Sequence, residues 1–386
     1  MADLARKVAS TPHSAIREMA QLARGIPDAI RLETGDPDFV TPVHIIEAAA
    51  KAAREGFTKY TPSAGLSSLR ERIAEKVRDR NGIAVPPEQV IVTTGGGGGL
   101  FTTFLVLLDP GDEVLVPDPG WPGYPAQIHF LGGVTVRYPL DRGRGFEPDL
   151  EALESLVGPR TKVLVVNSPS NPTGAVYGPE TLGAMLELAR KRDLWVVSDE
   201  CYDELVFDGA HTSMAALGEQ DRVLTVFTFS KSYAMTGWRV GYVVAPLEVA
   251  DALAKAQEPV VANCSSVSQK AAEAALLGPQ DVVREMREAY RRRRDDATAL
   301  LDAAGVGYVR PQGAFYLMAD VSAAGEPSTE FARRLLLEQH VSVVPGIAFG
   351  PHGEGSVRVS LSVAPDVLHA GVERLAAAVR RPQAAV

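Results

Sequence analysis

Cysteine is almost absent from this chain of 386 residues, which contains only Cys201 and Cys264. Two isolated cysteines form neither a disulfide framework nor a metal-binding motif, and the seven histidines include no HExxH pattern. No metal site is therefore predicted. Because so little cysteine suits a reducing compartment, the expected location is the cytoplasm.

Long apolar runs and an excess of positive charge are also missing. No stretch approaches the roughly 20 apolar residues of a membrane span, and the first residues lack the apolar region of a secretory signal. The 48 Asp and Glu outnumber the 39 Lys and Arg, which gives a formal net charge of −9. Since nucleic-acid binding depends on neutralising phosphates, the sequence predicts neither a nucleic acid nor a membrane as a partner.

What the chain does contain is ample apolar material for a folded core. Hydrophobic residues make up 46% and charged residues 23%, as is typical of globular proteins. At roughly 150 residues per domain, the length indicates two or three domains.

Seven short runs rich in β-branched residues occupy the middle of the chain. Most do not alternate between apolar and polar residues, which is typical of strands buried on both faces of a mostly parallel sheet. Helix-like stretches such as 100–108 and 179–192 lie between them, so the pattern predicts a doubly wound α/β domain over residues 46–280. The seven runs are 90–94, 113–117, 134–138, 162–167, 194–198, 223–228 and 240–245.

The rest of the chain has a different pattern. Residues 281–304 predict one long helix, followed by short strands near 308, 315–318, 341–344 and 356–362 and a helix near 328–339. This indicates a smaller α+β domain made of residues 1–45 with 281–386. The arginine run at 291–294 lies on the long helix, where we expect a solvated, salt-bridged face rather than a nucleic-acid patch.

Five consecutive glycines, Gly95 to Gly99, follow the first predicted strand and precede a helical pattern. Glycine allows close backbone approach and a helix N-terminus offers free N–H groups, so the run is a candidate phosphate cradle; a flexible turn is the alternative. It lacks the Lys of a Walker A loop and departs from GxGxxG at Leu100. Because Asp118 lies about 20 residues further on, a dinucleotide-binding site remains an alternative interpretation of this segment.

Polar residues follow the later strands too, and ligands bind beyond the carboxyl ends of such strands. Asn171 lies in a Pro- and Gly-containing turn, where it offers an amide or simply completes the turn. Asp199 directly follows an apolar strand, so it either needs a cation or caps the next helix. Tyr202 shares a face with Asp199 if a helical turn begins there.

Lys231 follows the strand at 223–228 and is flanked by aromatic and apolar residues. Most lysines are solvated, but partial desolvation would free a nucleophilic amine here. Arg239, eight residues on, suits an anion such as phosphate.

Taken together, these segments resemble the class I/II aminotransferases, the fold-type I enzymes that use pyridoxal 5'-phosphate (PLP), with the aspartate-aminotransferase-like branch nearest. The principal matches are SPSNPTG (168–174), SDECYDE (198–204) and FSKSYAMTGWRVGY (229–242). Supporting matches, in order along the chain, are LETGDPDFVTP (32–42), KYTPSAGLSSLR (59–70), PGWPGYP (119–125), QGAFY (312–316) and SVRVS (356–360).

The resemblance implies a role for each residue at the cofactor ring. Lys231 would hold PLP as an internal aldimine and then shuttle a proton as the free amine. Asp199 would pair with the pyridinium nitrogen, which makes the ring an electron sink. Tyr202 and Asn171 would bond the phenolate oxygen, and Trp121 would stack on the ring unless it is only a core tryptophan.

The resemblance also implies which residues bind the cofactor phosphate and the substrate. Backbone N–H groups of the cradle, two hydroxyls and one guanidinium would bind the phosphate, contributed by Gly96, Gly97, Thr228, Ser230 and Arg239. Tyr60 would reach the phosphate in the partner subunit, which implies a homodimer with shared sites. Arg358 alternates away from the apolar face of its strand and would clamp the substrate α-carboxylate beside Gly35 and Asn171; a surface arginine is the plain alternative.

The predicted function is transfer of an amino group from an L-amino acid to a 2-oxo acid, 2-oxoglutarate or pyruvate, by a ping-pong mechanism. A PLP-dependent β-eliminating C–S lyase, a nucleotide-binding oxidoreductase and a silent PLP-binding module are the alternatives. Gly97, Gly98 and Gly99 stand where many relatives carry bulkier residues, and no second arginine for a substrate side-chain carboxylate is evident.

Overall fold

The protein is represented by a computed structural model that describes residues 5–11, 14–218 and 220–380. Strands and helices are numbered in chain order. The strands are β1 Ile30–Arg31, β2 Val90–Thr93, β3 Glu113–Asp118, β4 Val134–Asp141, β5 Glu147–Pro148, β6 Thr161–Asn167, β7 Trp195–Asp199, β8 Val223–Thr228, β9 Gly241–Val244, β10 Tyr316–Asp320, β11 Val341–Ser342, β12 Val344–Pro345 and β13 Ser356–Ser360. The α-helices are α1 Arg6–Ala9, α2 Ala15–Arg24, α3 Val43–Arg54, α4 Ser67–Asn81, α5 Gly95–Leu107, α6 Gly123–Leu131, α7 Leu150–Ser155, α8 Pro179–Lys191, α9 Phe229–Ser232, α10 Leu247–Val261, α11 Ser266–Leu277, α12 Asp281–Ala304, α13 Ser328–Gln339 and α14 Pro365–Arg380.

The large sheet has the strand order β2-β9-β8-β7-β6-β3-β4-β5. Neighbours from β8 through β4 pair in parallel, whereas β9 runs antiparallel to both β2 and β8. All seven predicted strands are present, and the α/β fold with a mostly parallel sheet is confirmed. The eighth strand, β5, is a two-residue antiparallel addition at the edge, too short to carry a sequence pattern.

Helices cover both faces of this sheet because its strands are apolar on both sides. One apolar cluster joins one face of the sheet to α3, α4, α8 and α11, and includes Leu115, Leu164 and Val196. Another joins the opposite face to α5, α6 and α10, and includes Val114 and Val165. Adjacent residues of one strand therefore pack into different apolar clusters. This explains why the strand sequences are apolar at successive positions instead of alternating between apolar and polar residues.

A second unit has its own apolar core. Here a three-stranded sheet of order β10-β13-β12 packs with α12, α13 and α14, and β1 pairs with β11 in parallel. The predicted long helix is present with the expected bounds, Asp281–Ala304. The core also receives Met19 and Leu32 from the beginning of the described chain, so we retain as a proposal the division into residues 46–280 and 1–45 with 281–386. The extreme ends of the smaller unit lie outside the described residues.

The arginine run on α12 is not a uniformly solvated face, and that expectation was wrong for two of its members. Arg293 is 6% exposed and pairs through both terminal nitrogens with Asp38 at 2.8 Å. Arg294 is 1% exposed and pairs with Asp208 and Asp295. Both guanidiniums thus link the long helix to distant loops, because those loops bring carboxylates into an otherwise buried position.

The carboxyl ends of β2, β3, β6, β7 and β8 lie at the same edge of the large sheet, since these strands run in the same direction. No helix of the described residues has the length and hydropathy to cross a membrane. In the same residues, His, Cys, Asp and Glu side chains form no group of three or more that could hold a metal ion.

Candidate active site

A cavity of about 330 Å³ opens at this edge of the large sheet and reaches the second unit. Residues from five strand ends line it together with residues from β10, β13 and the loop after β1. It contains all but one of the predicted site residues, namely Gly35, Gly96, Gly97, Trp121, Asn171, Asp199, Tyr202, Thr228, Ser230, Lys231, Arg239 and Arg358.

Asp199 is a buried carboxylate at the end of β7. It is 6% exposed, accepts a hydrogen bond from the Tyr124 hydroxyl at 2.5 Å, and accepts another from the Cys201 backbone N–H at 3.2 Å. Burial raises the pKa of Asp199, and these donors oppose that rise. Turns rather than a helix follow the strand, so Asp199 is not a helix cap. No Lys, Arg or His of the described chain forms an ion pair with it, which leaves a buried acid suited to an external cation.

Lys231 belongs to the four-residue helix α9 that directly follows β8. Its Nζ donates a hydrogen bond to the Gly35 carbonyl oxygen at 2.6 Å and lies 5.7 Å from the centre of the Phe315 ring. Within the described residues it has no carboxylate partner. The side chain is half-buried, so this lysine does not occupy an ordinary solvated position.

The glycine run forms the first turns of α5, and the alternative of a flexible turn is wrong. Gly95 has a φ of +69°, and a Cβ there would lie 2.6 Å from an Arg239 terminal nitrogen. Only glycine allows this approach of backbone and guanidinium. A Cβ at Gly96 would lie 2.8 Å from the Cys201 sulfur, whereas one at Gly97 would meet no atom within 4 Å.

Hydroxyl groups lie close to that helix start, since a Cβ on Gly96 would be 3.5 Å from the Thr228 Cβ. The Thr228 Oγ1 donates to the Ser230 Oγ at 2.8 Å and accepts from the Ser230 backbone N–H at 3.2 Å. Both residues are nearly buried at the end of β8. Free N–H groups at a helix start, two hydroxyls and the Arg239 guanidinium are all groups that could bind an anion such as phosphate.

Arg358 on β13 is 1% exposed, which excludes the alternative of a surface arginine. One terminal nitrogen donates to the Glu33 carbonyl oxygen at 2.6 Å and the other to the Asn171 side-chain oxygen at 3.2 Å. The guanidinium also lies 4.3 Å from the centre of the Tyr316 ring. Burial lowers the pKa of Arg358, and the nearby Tyr316, Tyr202 and Glu33 partly oppose this decrease. Its Nε has no hydrogen-bond partner in the described chain, so a buried cation here lacks a matching anion.

The sequence analysis missed three polar residues of the site. Tyr124 bonds Asp199, Asn167 accepts from the Asn171 backbone N–H at 2.8 Å, and the Tyr316 hydroxyl lies 3.0 Å from that of Tyr202. Tyr124 and Tyr316 lie inside motifs already recognised, PGWPGYP and QGAFY, and Asn167 is the last residue of a predicted strand. For the two tyrosines, position in a motif was thus the available signal, but their contacts come from segments distant in sequence, whereas Asn167 contacts a residue only four positions away.

Tyr60 is the one predicted site residue outside the cavity. Its side chain is 89% exposed, in a loop between α3 and α4. Two other apolar side chains of α3 and the loop that follows it are exposed as well, Val43 at 67% and Phe57 at 38%.

Comparison with known proteins gives consistent matches over almost the whole chain. Residues 27–375 match the family described as aminotransferase class I and II. The aspartate/prephenate aminotransferase of Thermus thermophilus is 42% identical over 383 residues, covering 97% of this chain and 98% of that protein. The arginine–pyruvate transaminase of Pseudomonas aeruginosa is 40% identical over 362 residues, covering 93% and 92%.

Solved structures agree with the sequence matches. The aspartate aminotransferase from Thermus thermophilus with maleate has a TM-score of 0.93 and 43% identity, covering 98% of this chain and all of that one. These relatives are transaminases, which supports transamination over the C–S lyase and oxidoreductase alternatives. The chain therefore belongs to the class I and II aminotransferases and is an aminotransferase.

Proposed function

We propose that the cavity binds PLP and that the enzyme moves an amino group from an L-amino acid to a 2-oxo acid, 2-oxoglutarate or pyruvate, in two alternating half-reactions. One observation carries the proposal. An amine on Lys231 and a buried carboxylate on Asp199 line the same cavity, and neither has an ion-pair partner in the described chain. PLP offers an aldehyde to the first and a ring nitrogen to the second.

The other donors fit the remaining groups of PLP. Tyr202 offers a hydroxyl, and the amide nitrogen of Asn171 is available because its oxygen accepts from Arg358. These two side chains suit the phenolate oxygen, while the half-buried Trp121 offers an aromatic face. Gly96, Gly97, Thr228, Ser230 and Arg239 are the groups we assign to the phosphate.

Bound PLP would supply an electron sink for the charge that develops at the substrate α-carbon. The residues of the chain do the rest. Lys231 Nζ would hold the cofactor and later move the α-proton as a general base. Asp199 would keep the ring nitrogen protonated, because a buried carboxylate without a cation is costly.

We assign the substrate α-carboxylate to Arg358. Its planar fork matches a carboxylate with two parallel hydrogen bonds, and its burial keeps water from competing. Gly35 lines the cavity beside it, and a Cβ at that position would lie 2.5 Å from the Tyr316 hydroxyl. Any larger residue at Gly35 would therefore displace the Tyr316 side chain, which also contacts the Arg358 guanidinium.

We also propose a homodimer in the cytoplasm. Its support is Tyr60, which is exposed and does not line the cavity of its own chain, while Phe57 in the same loop is exposed too. Tyr60 would then complete the phosphate site of the partner subunit. Sedimentation equilibrium would give the mass of two chains, and a monomer that binds PLP fully would contradict the shared site.

The proposed function is tested by reconstituting the purified protein with PLP and reducing it with borohydride. We expect one phosphopyridoxyl group on the peptide that contains Lys231. L-amino acids added before reduction should convert the cofactor to its amine form, and 2-oxoglutarate or pyruvate should reverse the change. Label on any other lysine, or no conversion by any amino acid, would contradict the proposal.

Tyr124→Phe is expected to shift the acidic limb of the pH–activity profile to higher pH. The Tyr124 hydroxyl stabilises ionised Asp199, so its loss raises the pKa of that carboxyl. Asp199 then ionises, and can pair with a cation, only at a higher pH. Tyr177→Phe is the matched control, because the Tyr177 hydroxyl is buried with no partner in the described chain. An equal shift in both variants, or none in Tyr124→Phe, would disprove this role.

A further inference from the structure

The cavity holds three cationic side chains among the described residues: Lys231, Arg239 and Arg358. In the proposed function each already has a partner, namely the cofactor aldehyde, the cofactor phosphate and the substrate α-carboxylate. A substrate with a second carboxylate, such as aspartate or glutamate, would need a fourth cation. The described lining, which a single subunit supplies, offers none.

Apart from Asp199, the rest of the described lining carries no charged side chain. Ile16 from α2 lines the cavity, and Leu100 and Trp121 line it from the large unit. Ile16 is half-buried, as expected of an apolar side chain at the edge of a pocket. Its presence in the lining is informative because the helix α2 belongs to the amino-terminal segment, which no motif had connected with the site.

Gly97 leaves additional space in the same cavity. It lines the cavity, and a Cβ built on it would meet no atom within 4 Å. Its backbone is in a helix with no positive φ, so a side chain would be tolerated there. The chain therefore has room for a Cβ at this position, beside the region assigned to the phosphate, but presents only a hydrogen atom.

A carboxylate that enters an apolar pocket loses its hydration without gaining a charged partner, whereas an apolar side chain gains from leaving water. We propose that this enzyme prefers amino acids with uncharged, apolar side chains over aspartate and glutamate. The inference rests on the proposed function and concerns only the substrate side chain. It separates this chain from the aspartate aminotransferases that it resembles in sequence.

Binding gives a first test that does not depend on turnover. The PLP-loaded enzyme is titrated by calorimetry with maleate, a dicarboxylate, and with 4-methylpentanoate, which carries one carboxylate and the side chain of leucine. We expect 4-methylpentanoate to bind at least about tenfold more tightly, since maleate would lose the hydration of its second carboxylate without gaining a charged partner, whereas the apolar side chain gains from leaving water. Tighter binding of maleate would overturn the inference.

Two variants of Gly97 test the same point through the rate. The ratio of kcat/KM for L-aspartate to that for L-leucine is measured in Gly97→Lys and in Gly97→Met, which adds similar length without charge. Gly97→Lys should raise the ratio by about tenfold to a hundredfold, and Gly97→Met should not. Ile16→Lys and Ile16→Met repeat the comparison from α2 in case the start of α5 tolerates no lysine.

The outcomes separate this inference from the proposed function. If no amino acid converts the cofactor, the proposed function fails. If amino acids convert it and wild-type enzyme uses aspartate faster than leucine, the specificity inference alone is wrong. It is wrong too if lysine and methionine change the ratio equally at both positions.

Discussion

Replacing Lys231 by alanine is expected to lower transamination by about 10⁴-fold or more, because the amine is both the point of cofactor attachment and the proposed general base. The methyl group of alanine reaches neither role. Added PLP would still bind through the other contacts of the cavity, since Asp199, Arg239 and the helix start are unchanged. The measurements are the rate of each half-reaction and the mass of the borohydride-treated peptide around residue 231.

Two further variants make this result specific. Lys231→Arg keeps a positive charge near the Gly35 carbonyl but offers no nucleophilic amine, so its activity should be as low as that of Lys231→Ala. Lys191→Ala removes an exposed lysine on α8 that pairs with Glu154, and it should leave the activity unchanged. Turnover by Lys231→Ala within about tenfold of wild type would refute the assignment.

Replacing Arg358 by leucine should lower kcat/KM about 100-fold or more for both the amino acid and the 2-oxo acid. Both substrates carry the α-carboxylate that the guanidinium would clamp, and a charge-assisted pair in a water-free site is a strong contact. The loss should lie mainly in KM if Arg358 binds ground state and transition state alike. PLP labelling of Lys231 should persist, because Arg358 has no assigned role in holding the cofactor.

Arg358→Lys is the informative companion. It keeps the charge but loses the fork that reaches Asn171 and the Glu33 carbonyl, so we expect an intermediate loss. Arg374→Leu serves as the control, because Arg374 is exposed and donates only to the Gln339 carbonyl in the same unit. An unchanged KM in Arg358→Leu would mean that another group binds the carboxylate.

Much of the large unit followed from local sequence. The seven predicted strands are present because apolar β-branched runs bury both faces of a strand wherever helices cover both sides of the sheet. The placement of Asp199, Asn171 and Lys231 in one cavity could be anticipated, since parallel strands bring their carboxyl ends to one edge. The two-residue strand β5 could not be predicted from the sequence, because its pairing depends on the end of β4 rather than on its own residues.

Burial of charged residues was the least predictable property. Arg293 and Arg294 resemble Arg291 in sequence context, yet the first two are buried and paired with distant acids while Arg291 pairs with Glu288 on its own helix. Tyr124 likewise looks like one more core tyrosine until its hydroxyl is found 2.5 Å from Asp199. A residue's neighbours along the chain do not reveal which remote segment supplies its partner.

The sequence by itself determined the fold class and the order of chemical groups along the chain, because strand and helix patterns are local and a parallel sheet collects its strand ends at one edge. Tertiary structure alone decided which charged side chains are left without ion-pair partners and which residues surround them in the cavity. Gly35, Lys231 and Arg358 come from remote parts of the chain, and only packing of the two units places them around one cavity lined by Ile16 and an open Gly97. Solvent exclusion depends on all the segments that surround a group, and that environment exists only once the chain has folded.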